Sequence, residues 1–206
     1  QKVADDLGIE DPYTVVNEGR WTLDYVRKQT ADLGTDRNGD GKMDKYDFWG
    51  LATYQVNGMD NYMQGARVSM MGRDADDVPL LDVDMNRMTS LVEKVYALCF
   101  ENPGCRGGPG DQPGAAHTIF KEDRALYTTL SMYDVRYSLA EMESDFGILP
   151  YPKLNEEQPV YGTRVQDSLT LFSVPIDCRN VELSGAVMEA IAAENYRRVT
   201  PTVYDV

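Results

Sequence analysis

Residues 36–47, DRNGDGKMDKYD, place oxygen-bearing side chains at the spacing that wraps a hard cation. Asp36, Asn38, Asp40, Asp44 and Asp47 stand at positions 1, 3, 5, 9 and 12 of a calcium-type loop. Gly41 is at position 6, where such a loop turns sharply, and Lys42 at position 7 offers its backbone carbonyl. Met43 follows as an apolar residue. Calcium takes six to eight oxygens, so one short segment can supply most of a shell. Asp47 stands where Glu is usual, and its shorter arm weakens a two-oxygen grip. The alternative is a solvated acidic turn of the same outline.

The flanking residues indicate what the loop joins. Thr22 reads as an N-cap, with Trp21 before it and Val26 after it as a hydrophobic staple. Leu23, Val26, Thr30 and Leu33 form one helical face, and Gly34 stops the helix. Downstream, FWGLATYQV carries an early Gly50 among β-formers, which predicts a strand rather than a second helix. A helix–loop–strand unit cannot open as the helix pair of a calcium sensor does, so the expected role of Ca2+ is a structural staple.

Composition excludes several classes. The chain has 206 residues, 42% hydrophobic, with a formal net charge of −14. Such a surface repels phosphate backbones, so no nucleic-acid partner is expected. No apolar run reaches membrane-spanning length, and no signal sequence is read. The opening QKVADDLG lacks an initiator Met, which suits a mature protein or an excised piece. One histidine, His117, no G-x-S-x-G and no Cys–His pairing leave catalysis unsupported, so the chain is not expected to be an enzyme. Carboxylate count has no specificity for glycosidase chemistry in so acidic a chain. Three cysteines cannot all pair: Cys99 and Cys105 flank a short loop and either bridge or stay reduced, with Cys178 left over. Zinc-ribbon spacing is missing.

Taken in order, residues 1–19 predict two short helices around Asp11-Pro12, ending near Gly19. Residues 49–72 predict two strands and a connection, and 73–84 an acidic loop. Residues 85–100 predict a helix with Met85, Met88, Val92, Val95 and Cys99 on one face. Residues 102–114, dense in Gly and Pro, predict an exposed irregular loop with no phosphate-binding Lys-Ser/Thr. Residues 120–143 read as helical, with Leu126, Leu130, Tyr133 and Tyr137 inward. Strands are expected at 145–151 and 168–174, and a helix from Asn180 to about Tyr196. The class is therefore α/β, a small mixed sheet with helices around it.

The runs EGRWTLDYV, DRNGDGKMDKYDFWGL, MESDFGILPYPKLNEEQPVYGT and SGAVMEAIAAENY, in this order, resemble the family 1 extracellular solute-binding proteins of bacterial ABC sugar importers. DFGILPYPK and the spacing from WTLD to GDGK are the specific parts; the Gly/Pro-rich loop has no counterpart. The resemblance implies a periplasmic-binding-protein-like type II lobe. It places 1–149 in a C-terminal-lobe-like region carrying the calcium-like loop, and 150–206 in a crossover with a returning strand and helix. It also implies a fragment of a longer, two-lobed protein, extracellular, anchored as a cell-surface lipoprotein by a lipid outside this chain. Partners would be a sugar or oligosaccharide and, for the full-length protein, the ABC permease subunits. In an extracellular chain, Cys99–Cys105 is the sequence-local pair for a bridge.

Sugar rings present apolar C–H faces on which aromatic rings stack, while polar groups bond the hydroxyls. Trp49, Tyr151 and Tyr161 are the aromatic candidates for that contact, and Arg164 and Gln166 the polar ones; the alternatives are core, rim or solvated positions. Two other functions compete: a dockerin-like assembly module, which would need a second calcium-type loop, and an accessory carbohydrate-binding domain of a glycoside hydrolase.

Overall fold

The structure, a computed structural model, describes residues 2–53, 55–107, 115–165 and 171–204. Contacts divide the chain into two units, residues 1–164 and 165–206. The first is α/β, a small parallel sheet with helices around it.

Two short helices open it, α1 (Lys2–Asp6) and α2 (Pro12–Asn17). The Asp11 carboxylate caps α2 by accepting from the Tyr13 and Thr14 N–H groups. In α3 (Leu23–Thr30) the expected cap holds: Thr22 Oγ1 accepts from Tyr25 N–H, and Trp21 and Val26 are both buried. The helix stops at Thr30, before Leu33. The acidic loop follows and leads into β1 (Trp49–Ala52), as expected. Every residue of β1 is buried, because it is the central strand.

Beyond β1 the structure departs from the sequence reading. The span 49–72 begins and ends in strand as expected, but its connection is a helix, α4 (Gln55–Gly65). Met59, Tyr62, Met63 and Ala66 recur at helical spacing and pack into the core, which outweighs the glycine at 58. The acidic loop expected at 73–84 is instead the turn and second strand of an antiparallel hairpin, β2 (Met71–Arg73) with β3 (Pro79–Leu81). Then α5 (Met85–Cys99) forms where expected, but its buried face is Leu91, Val95, Leu98 and Cys99; Met85 and Val92 are exposed.

The Gly/Pro-rich stretch is not wholly irregular. Cys105–Arg106 form β4, and Asn102 is buried; residues 108–114 lie outside the described residues. The long helix expected over 120–143 is broken into α6 (Ala115–Lys121), strand β5 (Ala125–Thr128) and α7 (Met132–Tyr137). Ala125 and Leu126 are buried in the sheet, while Tyr133 and Tyr137 are exposed. The sheet order is β4-β1-β5, all parallel, with Leu51 opposite both Cys105 and Tyr127.

The strand expected at 145–151 does not form. Its extended chain runs instead as a belt bonded to the start of α3. Trp21 Nε1 donates to the Pro150 carbonyl at 2.9 Å, Lys153 N–H to Trp21 O at 3.0 Å, and Leu23 N–H to Lys153 O at 3.0 Å. The DFGILPYPK stretch is thus a tie across the core, and two prolines suit it better to that than to a ladder. Residues 150–164 therefore belong with the first unit.

Glycines allow the closest approach in this core. A Cβ on Gly50 would sit 2.6 Å from the Thr30 carbonyl oxygen, and one on Gly104 would overlap the same oxygen. The C-terminus of α3 rests directly on β1 and the β4 turn. Asn102 fastens it there: its Nδ2 donates to Thr30 Oγ1 at 2.8 Å while its Oδ1 accepts from Gly104 N–H at 3.0 Å.

In the second unit, Asn180 Oδ1 accepts from Leu183 N–H and caps α8 (Val181–Glu194), as expected. A π-helical turn (Asn195–Val199) and α9 (Thr200–Tyr204) follow. Of the strand expected at 168–174, residues 168–170 lie outside the described residues, and 171–174 have no regular structure.

Candidate functional site

Two clusters carry chemistry, and they stand at opposite ends of β1. At its amino end is the acidic loop. Thr35 and Phe48 close the loop's mouth with two reciprocal backbone hydrogen bonds of 3.0 Å. Gly39 and Gly41 take positive φ, 73° and 76°, which gives the sharp turn. Each donor side chain is then folded inward on its own backbone. Asp36 accepts from Gly39 and Gly41 N–H at 2.6 and 2.9 Å. Asn38 accepts from Asp40 N–H, Asp40 from Lys42 N–H, and Asp44 from Tyr46 N–H. Asp47 is fully buried at the base, its two oxygens accepting from Arg37 N–H at 2.9 Å and Asp44 N–H at 2.6 Å.

The Asp44 N–H bond, together with that from Arg37, holds the Asp47 carboxyl below the ordinary aspartate range. The donor set suits Ca2+: hard oxygens in sequence register around a glycine turn, each carboxylate oxygen keeping a lone pair beyond its N–H bond. Among the described residues, no three His, Cys, Asp or Glu side chains converge on one metal position. Asp36, Asp40 and Asp47 would have to draw together to share an ion, with Asn38, Asp44 and the Lys42 carbonyl completing the shell.

Trp49 ties this loop to the sheet. Its Nε1 donates to the Asp44 carbonyl at 2.9 Å and its ring is buried among Ala52, Ala116, Ile119 and Ala125, with the Arg106 guanidinium 5.6 Å from its centroid. Both its N–H and its ring are committed inside the molecule, so it offers no stacking face.

The second cluster lies just past the carboxyl ends of β1 and β5. Ligands of open α/β sheets bind at that edge, because the loops there bring side chains of several strands together. Thr53 follows β1 and Thr129 follows β5, and their hydroxyls bond each other at 2.7 Å. The Tyr62 phenol of α4 lies against Thr53, and the Tyr151 phenol against Thr129. Asn61 Nδ2 donates to the Tyr151 hydroxyl at 3.1 Å, and the rings of Tyr62 and Tyr151 meet edge to face at 5.3 Å. Burial raises both phenols, so each stays a neutral hydroxyl. A cavity of about 510 Å3 opens here, lined by Trp21, Tyr62, Tyr127, Thr128, Thr129 and Tyr151 among others. The Thr128 hydroxyl on its wall is buried without a hydrogen-bond partner. Such a group costs about 1–3 kcal/mol until something satisfies it.

The sequence candidates divide accordingly. Tyr151 is in this cluster. Arg164 is beside it, ion-paired with Asp60 at 3.4 Å and close enough to act on the Tyr151 phenol. Tyr161 packs on the same core but commits its hydroxyl to the Val16 carbonyl at 3.0 Å, with Lys153 over its ring. Gln166 lies outside the described residues. Thr53, Asn61, Tyr62, Thr128 and Thr129 were not singled out in the sequence. Reading ALYT as a strand would have placed Thr128 and Thr129 at the carboxyl edge. Comparison with family models, curated proteins and solved structures finds no match to the chain.

Proposed function

We propose that the chain is the sugar-capturing part of the substrate-binding component of an ABC importer. In this reading it is a periplasmic-binding-protein-like type II lobe, extracellular and lipid-anchored in the full-length protein, where it delivers its ligand to the permease subunits. One Ca2+ held by Asp36, Asn38, Asp40, Lys42, Asp44 and Asp47 acts as a staple for the sheet. The observation that carries the reading is the cluster of Thr53, Thr129, Asn61, Tyr62 and Tyr151 at the carboxyl edge of a parallel sheet. Neutral hydroxyls, an amide and aromatic rings are the groups that recognise a polyhydroxylated ring, and the partnerless Thr128 hydroxyl leaves one more bond to make. The acidic loop stands at the other end of β1, about 13 Å away for a four-residue strand, so an ion there supports the site without touching ligand. β1 directly after the loop also disfavours a dockerin-like module, in which a helix follows.

One wall of a two-walled site binds weakly. The test is saturation-transfer NMR on the whole chain with a panel of mono- and oligosaccharides, a method that reads millimolar affinities. Transfer to the ring protons of at least one sugar is expected, and Tyr151→Ala and Thr129→Val should abolish it. No transfer from any sugar, or transfer that both variants leave unchanged, overturns the reading.

A further inference from the structure

Cys99 is the last residue of α5 and Cys105 the first of β4, joined by a turn of five residues. That turn is pinned at both ends: Phe100 N–H bonds Tyr96 O at 2.9 Å, and Cys105 N–H bonds Asn102 O at 3.0 Å. It brings both free thiols into one apolar cluster, 7% and 8% exposed, at the packed ends of α5 and β4. Cys178 is in the other unit and faces the Ser184 hydroxyl at 3.3 Å. We infer that Cys99 and Cys105 are a disulfide-forming pair, closed by a low-molecular-weight disulfide oxidant and seated under the carboxyl-edge cluster through Tyr62.

The pair is polarised for the exchange. The neighbouring Cys105 thiol lowers the Cys99 pKa; burial opposes this, and the Tyr62 hydroxyl adds to it. Cys99 in turn, with burial, raises the Cys105 pKa and keeps that thiol protonated. Cys99 is therefore the attacking thiolate. Its sulfur attacks one sulfur of the oxidant, forming a mixed disulfide and expelling one thiolate. Cys105 then gives up its proton and attacks the Cys99 sulfur, closing the ring and expelling the second thiolate. The two cysteines lose two electrons and two protons; the oxidant's disulfide gains them as two thiols. Burial shields the closed bond from later reduction.

The full chain is refolded in a mixture of oxidised and reduced glutathione, then denatured, alkylated and digested with trypsin without reduction. Lys94 and Arg106 place both cysteines in a single peptide, Val95–Arg106. That peptide should appear unalkylated and lighter by two hydrogens, with alkylation confined to Cys178. The Cys178→Ser variant should give the same peptide. Alkylation of Cys99 and Cys105 after oxidative refolding, or their linkage to Cys178, glutathione or a second chain, overturns the inference.

Discussion

The Trp49 indole N–H donates to the Asp44 carbonyl at 2.9 Å, so a buried residue of the central strand holds the wall of the acidic loop. Arg124 reinforces the join by donating to the Lys45 carbonyl. Trp49→Phe removes the hydrogen bond and part of the ring volume while keeping an aromatic in the core. A loss of about 2 kcal/mol is expected, combining a hydrogen bond of about 1 kcal/mol with the cavity left behind. Urea denaturation followed by circular dichroism measures it. A change under about 0.5 kcal/mol would place the loop and sheet in separate cooperative units.

Calcium should raise the melting temperature. An ion that binds only the folded chain stabilises it by about 2.7 kcal/mol at a hundredfold excess over its dissociation constant. Replacing Asp36 and Asp40 with Ala should erase that shift and leave the chelator-treated fold recognisable by circular dichroism. The amides of α3 and β1 should gain most protection from hydrogen exchange on adding the ion. Equal melting temperatures in chelator and in calcium would leave only an acidic turn.

Asp47 makes stability depend on pH even without an ion. Its folded carboxyl lies below the ordinary value of 3.8, chiefly because the Asp44 N–H bonds the ionised form. A lowered folded value means that the unfolded chain binds the proton first as pH falls. The contribution is complete above the ordinary value and disappears as pH drops through the folded one. In chelator, Asp47→Asn should be less stable than the parent by a constant margin at neutral pH. That margin should narrow below 3.8, as the parent is protonated too. A margin independent of pH down to acid unfolding would assign the effect to packing alone.

Elements with local chemistry were legible in the sequence. Asp11, Thr22 and Asn180 announce α2, α3 and α8, because an N-cap needs only a side-chain oxygen and the next few N–H groups. Elements fixed by distant partners were not. ALYT at 125–128 suits a helix until it is laid beside Trp49, Leu51 and Ala52. Residues 145–151 have strand composition, yet Pro150 accepts from the Trp21 indole and Ile148 N–H donates to the Tyr13 hydroxyl rather than into a sheet. The candidate binding cluster shares this limit. Tyr151 is legible as an aromatic between two prolines, but Thr53 and Thr129 acquire meaning only when β1 and β5 end side by side.

The glycines facing Thr30 give the sharpest test of the packing. Gly50 of β1 and Gly104 of the turn before β4 flank the Thr30 carbonyl, and a Cβ at either would enter backbone rather than a yielding side chain. Thr30 is itself fully buried and bonded to Asn102, so α3 cannot retreat without breaking that bond. Gly104→Ala should therefore cost about 3 kcal/mol or more, at the top of the overpacking range, and Gly50→Ala somewhat less. Gly39→Ala supplies the contrast: space around it is open, so its cost is only that of a positive φ, about 1 kcal/mol. Denaturant titration of the three variants should rank them Gly104, Gly50, Gly39 from most to least destabilised. A Gly104→Ala protein as stable as the parent would mean that α3 does not rest on the β4 turn.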